Sequence, residues 1–542
     1  MRPNPFVLAA LTAMIAVPIV VAPAPAQAFC GFYVAPSDQP LYNDATMVAL
    51  MRDGTRTVMS MSNNYRGPAS DFAMVVPVPV VLQKENVKTL PHDVFKQLEA
   101  LSAPRLVEYW EQDPCQPPME YPMSMAAGAV GGAAAPSAEA DASSYGVKIE
   151  AKFSVGEYDI LILSANQSDG LESWLHDNHY NVPSGAAAAL APYITSQQKF
   201  FVAKVDIKKV QMDAQGVAVL SPLRVNFESQ DFRLPVRLGL LNAQGKQDLI
   251  VFILAQSQRY EVANYPNVFI PTNIDVSDET RNAFAPFYAT LFDATVAKAG
   301  GKAIVTEYSW GSSSCDPCPT PPLEDSDIAT LGGDVLYGMG APPPPTGGPP
   351  GGPNGGMGGY YGGSSYGVVL TRLHARYDAS TLTDDLVFRQ APSMVGGREF
   401  VVDDNGTLEK GARPDSENNF QGRYAIRHRW TGPINCQNPQ RGIWGGPPNG
   451  QGDSSTLPAT GLAAAPRGNL KLVDYVKSGL DDVESYDRAV QWSYSGGSGP
   501  PPVHARACGC SLPGTDATWW SLGGCASLAV FAALVMRRRS GR

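Results

Sequence analysis

The sequence has few positively charged residues. Its 542 residues include 41 lysines and arginines against 51 aspartates and glutamates, a net charge of −10. Arg2 and the four arginines from Arg537 onward lie outside residues 29–536, and that part of the chain carries 36 basic against 51 acidic residues, a net charge of −15. This deficit excludes a general basic field of the kind that binds nucleic acid or an anionic membrane surface. We therefore expect no nucleic-acid partner.

Patterns that carry catalysis are also scarce. The sequence has only six histidines, and no phosphate-binding glycine loop lies between a predicted strand and a predicted helix. The sequence therefore predicts no cofactor and identifies no catalytic residue.

Residues 1–28 have the composition of a signal peptide. Arg2 supplies the positive charge, residues 6–21 form the apolar segment, and Ala26-Gln27-Ala28 fits an A-x-A cleavage site. We expect the chain to be exported, with cleavage between Ala28 and Phe29.

The apolar segment 519–536 is long enough to cross a membrane. It has no ionisable side chain other than the Cys525 thiol, and as a helix it would span roughly 27 Å. Two tryptophans begin the segment and three arginines follow it, and basic residues stay on the cytoplasmic side. We predict a transmembrane helix that anchors the chain in a membrane and leaves its bulk outside.

The whole tail, residues 508–542, resembles the MYXO-CTERM sorting signal of bacterial surface proteins. The matching features are Cys508-Gly509-Cys510, a short spacer, the apolar span and the closing arginines. The resemblance implies that a sorting protease in the membrane cuts near Cys508 and Cys510 and leaves the protein at the cell surface. A simple membrane anchor that is never cut is the alternative.

Changes in composition divide the rest of the chain. Two segments, 116–144 and 338–365, are rich in Gly, Pro and Ala, and we interpret them as flexible insertions within an ectodomain at 29–440. Residues 441–507 are of similar composition, and we predict a disordered low-complexity stalk with a short helical piece at 470–478.

Hydrophobic patterns predict an α+β fold with mostly antiparallel sheet and a few packed helices. Two hairpins are expected, at 46–61 and at 234–255, and the second strand of the latter is apolar enough to be central. The apolar strand at 71–82 contains two prolines, which favour an edge position or a bulge.

Two predicted helices carry clear signals. The first begins at Asp169, which forms a capping-box pattern with Glu172. The second is capped by Asp278, continues to about Lys298, and ends at two glycines.

Several stretches resemble the bacterial domain of unknown function 2330 family. They are residues 29–34 (FCGFYV), 71–79 (DFAMVVPVP), 171–183 (LESWLHDNHYNVP) and 370–377 (LTRLHARY). The resemblance runs over most of 29–436 and implies that the strands on both sides of insertion 338–365 belong to one domain. It implies no activity, cofactor or catalytic residue.

The ectodomain has five candidate cysteines for disulfide bonds, which an exported chain favours. They are Cys30, Cys115, Cys315, Cys318 and Cys436. Three prolines follow the C-x-x-C pair at 315–318, so a redox-active helix start is disfavoured there. We expect a bond within that pair and a second bond among the other three, with the remaining thiol free or paired with the tail.

His176 and His179 are the candidate metal ligands. Imidazoles three residues apart on a helix can share a face and bind zinc. A third ligand is needed, and His374 or His428 could supply it only if the fold brings them close. The competing interpretation is that both are polar residues at a helix C-terminus.

Together these features favour an exported, surface-anchored envelope protein that acts as a non-enzymatic binding or structural module with an unidentified extracellular ligand. The alternative is a metal-dependent envelope hydrolase that uses His176 and His179.

Overall fold

The structure is a computed structural model. It describes residues 32–34, 42–66, 72–115, 146–212, 218–242, 245–338, 366–399, 408–409, 411–447, 457–458 and 470–477. The predicted signal peptide, the two insertions apart from Gly338, and the predicted sorting signal lie outside these residues.

The first strands, in chain order, are β1 (Phe32–Val34), β2 (Tyr42–Asp53), β3 (Arg56–Arg66), β4 (Ala73–Val78), β5 (Val87–Thr89), β6 (Arg105–Glu111), β7 (Val147–Val155), β8 (Tyr158–Ala165) and β9 (Lys199–Val205). They are followed by β10 (Gln211–Met212), β11 (Ala218–Val219), β12 (Leu223–Glu228), β13 (Arg233–Leu234), β14 (Gln247–Gln256), β15 (Arg259–Val262), β16 (Asn267–Phe269), β17 (Ile274–Asp275) and β18 (Ile304–Gly311). The last are β19 (Val368–Tyr377), β20 (Leu386–Ala391), β21 (Met394–Gly396), β22 (Arg413–Pro414), β23 (Asn419–Gln421), β24 (Arg423–His428), β25 (Trp444–Gly445) and β26 (Leu457–Pro458).

Helices are fewer. They are α1 (Asp93–Ser102), α2 (Ser168–Asp177), α3 (Ala186–Thr195), α4 (Phe284–Lys298), α5 (Asp325–Ile328) and α6 (Asp334–Leu336). Short 3₁₀ turns occur at Lys84–Asn86, Ile207–Lys209, Arg237–Asn242, Asp278–Asn282 and Leu472–Asp474, and a π-helical turn occurs at Ala329–Gly333. The described part of the chain is therefore mostly strand with few helices, as the α+β prediction requires in outline.

The largest sheet has the order β22-β21-β23-β18-β19-β14-β2-β3-β12-β5, with β16 paired to β18. A second sheet has the order β1-β4-β9-β8-β7, and a third has β17-β24-β6 with β25 and β26 also paired to β6. Most pairs are antiparallel, but β14 runs parallel to β2 and β24 runs parallel to β6. The strand after the 338–365 insertion, β19, pairs with β14 and β18 from before it.

Strand β14 shows why the two main sheets stack. Leu249, Val251 and Ile253 belong to the core that faces the second sheet, whereas Ile250 and Phe252 face the core that contains α1. A strand buried on both faces needs an uninterrupted apolar run, and β14 has one. On the outer face of the second sheet, α2 and α3 form a further core. The layers are thus helices, sheet, sheet and helices.

The predicted hairpin at 234–255 is wrong. Its first half is a 3₁₀ turn at Arg237–Asn242, and the short β13 before that turn pairs with β20 instead of β14. The second half, β14, is central as predicted. The apolar pattern identified a buried strand but could not identify its partners, which come from distant parts of the chain.

The proline-containing strand is also not at an edge. Strand β4 lies between β1 and β9, and within the described residues β1 pairs with residues 73–75 of it. Pro77 lies opposite Phe200 of β9. Proline content alone therefore did not place this strand correctly in the sheet.

Two helix starts differ from the predictions. Helix α2 begins at Ser168 after Gln167, and no side chain forms a capping bond there, so the expected Asp169–Glu172 capping box is absent. The segment from Asp278 first forms a 3₁₀ turn, and α4 begins only at Phe284. Gly300 and Gly301, both at positive φ, follow the helix as expected.

Part of the segment predicted as a stalk packs on the folded body. Strands β25 and β26 pair with β6, and Val476 is only 7% exposed against the core around α4. The Ser277 amide donates to the Tyr475 carbonyl at 2.8 Å. The body therefore continues past residue 440 to at least residue 477.

In the residues that the structure describes, no helix combines the length and apolarity that a membrane span requires. The predicted span at 519–536 lies outside those residues.

Candidate functional site

Four of the five candidate cysteines are joined in two disulfides. Cys115 is bonded to Cys436 across 321 residues, with Cα atoms 5.5 Å apart, and Cys315 is bonded to Cys318. The long-range bond ties the end of β6 to the segment that follows β24. Some expected residues lie outside the described ranges, namely Cys30 and the processing positions Ala28, Phe29, Cys508 and Cys510.

The short loop closed by Cys315–Cys318 contains Asp316, whose carboxyl group lies beside that of Glu399. Oδ2 of Asp316 accepts a hydrogen bond from the Glu399 amide at 2.7 Å, and the fully buried Arg105 donates to the Pro317 carbonyl at 2.6 Å. Burial and the nearby charge of Asp316 raise the pKa of Glu399 to about 7. The loop is thus bound to a buried arginine, and Glu399, the acid beside it, stays partly protonated close to neutral pH.

His179 has a local structural role at the end of α2. It adopts a left-handed φ of 64°, its amide donates to the His176 carbonyl at 2.8 Å, and the Tyr180 amide donates to the Leu175 carbonyl at 3.0 Å. These two bonds form a Schellman motif, in which Tyr180 packs in the same core as Leu175. The side chains of His176 and His179 are both exposed.

The other two histidines considered as ligands contact carboxylates. His374 is buried, with Nδ1 2.7 Å from Glu307 and Nε2 3.0 Å from Asp248. His428 lies 3.1 Å from Glu108 through Nε2. Among the described residues, no group of three or more His, Cys, Asp and Glu side chains could hold a metal ion.

His374 is part of a buried chain of alternating charges. Arg372 donates to Glu307 at 2.6 Å, Glu307 contacts His374, His374 contacts Asp248, and Arg376 donates to Asp248. Strands β18, β19 and β14 supply the five residues, so the chain crosses the middle of the largest sheet. Each charged side chain contacts one of opposite charge, so the network links three strands. Its charged groups are engaged with one another, and we therefore interpret the network as structural.

A polar cavity opens where the chain leaves the largest sheet. Strand β14 ends at Gln256, Ser257 adopts a left-handed φ of 57°, and β15 then pairs with β20 in a small sheet. The gap between the two sheets and the β2–β3 turn is a cavity of about 570 Å³. This volume is in the range of small-molecule sites.

Aromatic rings from the main core form the floor of this cavity. Phe232 lies 5.3 Å from Tyr260 in a T-shaped contact and 5.2 Å from Phe388, and all three are less than 10% exposed. Arg52 covers Phe232 at 5.1 Å and donates to the Ser229 carbonyl at 2.8 Å. Because the floor belongs to the core, its shape is fixed by the fold.

Amides and hydroxyls form the rim. Gln256, Gln258 and Gln390 line the cavity with exposed side chains. Tyr337 lines it as well, and its buried hydroxyl has no hydrogen-bond partner among the described residues. Burial raises the pKa of Tyr337 to about 12, helped by Asp53, so this hydroxyl stays protonated. The rim therefore presents neutral amides, which can both donate and accept hydrogen bonds, beside the charged side chains of Arg52, Asp53, Asp231 and Arg389.

The cavity was not predicted from the sequence. Its lining comes from segments near residues 52–54, 230–232, 255–260, 337 and 387–390, and none of them carries a recognisable motif. The glutamines and tyrosines have ordinary spacing in the sequence, and only the fold brings them together.

These observations define a protein class: a mixed-sheet α+β body with two disulfides, a buried network of ion pairs and a polar surface cavity. The chain matches, over residues 24–389, the family described as "Uncharacterized protein conserved in bacteria (DUF2330)", and it belongs to this family. No curated protein and no solved structure matches the chain. The family match ends within β20, whereas β23 and β24 complete the sheets beyond it.

Proposed function

We propose that this protein is an exported, surface-anchored component of the bacterial cell envelope, and that its folded body is a non-enzymatic module that binds an extracellular ligand in the polar cavity. The observation that carries the binding part is the cavity itself. Its floor belongs to the folded core, its rim carries three exposed amides beside charged side chains, and it opens to solvent.

Features of the two termini support the location. The signal-peptide pattern at 1–28 and the Cys-spacer-span-arginine order at 508–542 are consistent with export followed by anchoring. In this proposal the membrane contacts the protein through 519–536, and a sorting protease acts near Cys508 and Cys510.

The disulfides and the charge also fit an extracellular body. Cys115–Cys436 and Cys315–Cys318 suit an oxidising compartment, since disulfides persist mainly outside the cytosol. The net charge of −15 over residues 29–536 keeps an exposed domain dispersed and does not favour nucleic acid.

Protease treatment of intact cells tests the location. Cells carrying the full chain should lose the folded body to added protease, whereas a cytosolic control protein should survive. A variant that lacks residues 508–542 should instead appear in the culture medium. Protection of the full chain in intact cells, or retention of the shortened variant inside them, would contradict the proposal.

Metal analysis of the purified protein separates binding from metal-dependent hydrolysis. Stoichiometric zinc that is lost on His176→Ala would favour a hydrolase. Equal and negligible zinc in both proteins is the result expected for a binding module.

A further inference from the structure

We propose that the Cys315–Cys318 disulfide is a reversible redox modification site, which a dithiol reductant opens while the Cys115–Cys436 disulfide stays closed. The proposal goes beyond the binding function above and does not depend on a ligand in the polar cavity. Two observations carry it, namely the unequal exposure of the four cysteines and the contacts of the short loop with buried side chains.

The four bonded cysteines differ in exposure. Cys318 is exposed, whereas Cys315, Cys115 and Cys436 are each partly buried. Exposed disulfides are more easily reduced than enclosed ones, because the attacking thiolate must reach a sulfur atom. The two bonds also close loops of very different length, with cysteines 3 and 321 positions apart, and the short loop restricts the unfolded chain far less. A reductant can therefore reach the short loop at Cys318 and open it at a small cost in stability.

Reduction at this site is a thiol–disulfide exchange in two steps. One thiolate of the dithiol attacks Sγ of Cys318, the bond between the two cysteine sulfurs breaks, and Cys315 leaves with the electron pair. The second thiolate attacks the reductant's own sulfur in the mixed disulfide and releases Cys318. The dithiol becomes a disulfide, and its two electrons and two protons end on the two cysteines. Sγ of Cys315 lies 3.9 Å from the Thr320 carbonyl, which can accept a hydrogen bond from the new thiol.

The two residues between the cysteines bind the loop to the interior. Arg105 donates to the Pro317 carbonyl at 2.6 Å, and Gln421 donates to the Asp316 carbonyl. Oδ2 of Asp316 accepts from the Glu399 amide at 2.7 Å. Arg105 and Gln421 are completely buried, and a buried donor that loses its acceptor is costly. Opening the disulfide should therefore loosen β6, β23 and the segment after β21, which supply these three donors.

The neighbouring acid gives the opened state a second signature. Glu399 interacts with Asp316 of the loop, with Arg423 of β24 and with Tyr109 of β6. Burial, followed by the charge of Asp316, raises the pKa of Glu399 to about 7. If the opened loop carries Asp316 away, the second of these causes is removed, and the pKa of Glu399 should be lower in the reduced protein.

Graded reduction of the purified full-length protein tests the site. The oxidised protein is equilibrated with increasing concentrations of dithiothreitol, free thiols are blocked with iodoacetamide, and the modified cysteines are identified by mass spectrometry. We expect Cys315 and Cys318 to be modified at a dithiothreitol concentration about tenfold lower than Cys115 and Cys436. Opening of both disulfides at the same concentration, or earlier opening of Cys115–Cys436, would overturn the proposal.

Hydrogen exchange of the protein in which only the short loop is open tests the effect on the interior. Peptides that contain Arg105, Glu399 or Gln421 should exchange faster than in the oxidised protein, whereas a peptide from β14 should be unchanged. Oxidised dithiothreitol should restore the original rates, because the modification is reversible. Selective opening without faster exchange in the three peptides would overturn the proposal that the loop controls these contacts.

The variant Cys315→Ser/Cys318→Ser is the matched control, since it has the open loop without any reductant. It should show the faster exchange of the same three peptides, and dithiothreitol below the concentration that opens Cys115–Cys436 should change nothing further. Its thermal midpoint should lose the contribution of Glu399 at lower pH than the unsubstituted protein does, because the pKa of that acid is lowered. An exchange pattern and a pH profile equal to those of the oxidised protein would overturn the proposal, whereas failure of the cavity to bind a ligand would leave it intact.

Discussion

Nδ1 of His374 lies 2.7 Å from Oε1 of Glu307, with both side chains almost completely buried. Burial alone would raise the pKa of Glu307, but the positive charges of His374 and Arg372 lower it to about 2. Burial likewise disfavours a charged His374, yet Glu307 and Asp248 raise its pKa above the usual value. The interior of the largest sheet therefore holds a chain of ions that are stable only together.

Removing one member of this chain should be costly. We predict that Glu307→Gln destabilises the protein by about 3–5 kcal/mol, because His374 and Arg372 would then be buried without their shared counter-charge. Urea unfolding followed by tryptophan fluorescence measures the loss. Glu228→Gln is the control, since Glu228 pairs with Arg56 at 3.1 Å but both side chains are more than half exposed, and its midpoint should barely change. Equal effects of the two substitutions would contradict a structural role for the buried network.

Glu399 should make stability depend on pH. Its pKa is about 7 in the folded protein against an ordinary value of 4.5, so the folded state binds more protons between these values. Its contribution to stability is complete below pH 4.5 and is lost as the pH rises through 7. We predict that Glu399→Gln, which resembles the protonated acid, flattens the fall in thermal midpoint between about pH 5 and about pH 8. Parallel pH profiles of the two proteins would rule out this acid as the cause.

His179 provides a direct test of helix capping against metal binding. A non-glycine residue at its left-handed φ of 64° is strained, so His179→Gly should raise stability by about 1 kcal/mol. Calorimetric midpoints measure the gain, and zinc content measured on the same samples should not change. A lower midpoint accompanied by loss of bound zinc would instead support the metal interpretation of His176 and His179.

The long-range disulfide should contribute more than the local one. Cys115→Ser/Cys436→Ser removes a link between residues 321 positions apart, and we predict a loss of about 2–5 kcal/mol in unfolding free energy. Cys315→Ser/Cys318→Ser removes a link across three positions, and the smaller loop entropy predicts a smaller loss. Urea midpoints without reductant make the comparison. The reverse order of effects would show that the local loop, with its contacts to Arg105, has the larger structural role.

Local patterns predicted individual elements better than their arrangement. The apolar run of β14 was enough to identify a central strand, and the two glycines at 300 and 301 were enough to place the end of α4. The hairpin assigned to 234–255 failed because pairing depends on strands far away in sequence, here β2 and β19. Short-range pattern contains no information on such partners.

The buried ion network and the cavity could not be predicted from the sequence for the same reason. Glu307 and His374 are 67 residues apart, and His374 and Asp248 are 126 apart. The cavity rim joins Gln256 with Gln390 across an intervening insertion. His176 and His179 are the only histidine pair with a motif-like spacing in the sequence. In the structure they belong to the C-terminal end of α2, where His179 adopts the left-handed conformation of the Schellman motif.

Peptide mapping of protein taken from intact cells, by mass spectrometry without reduction, tests the central claim most directly. The account predicts an N-terminal peptide that begins at Phe29, and a cross-linked pair of peptides that joins Cys115 to Cys436. Recovery of a peptide that begins at Met1, together with Cys115 and Cys436 as free thiols, would contradict export of this protein to the cell surface.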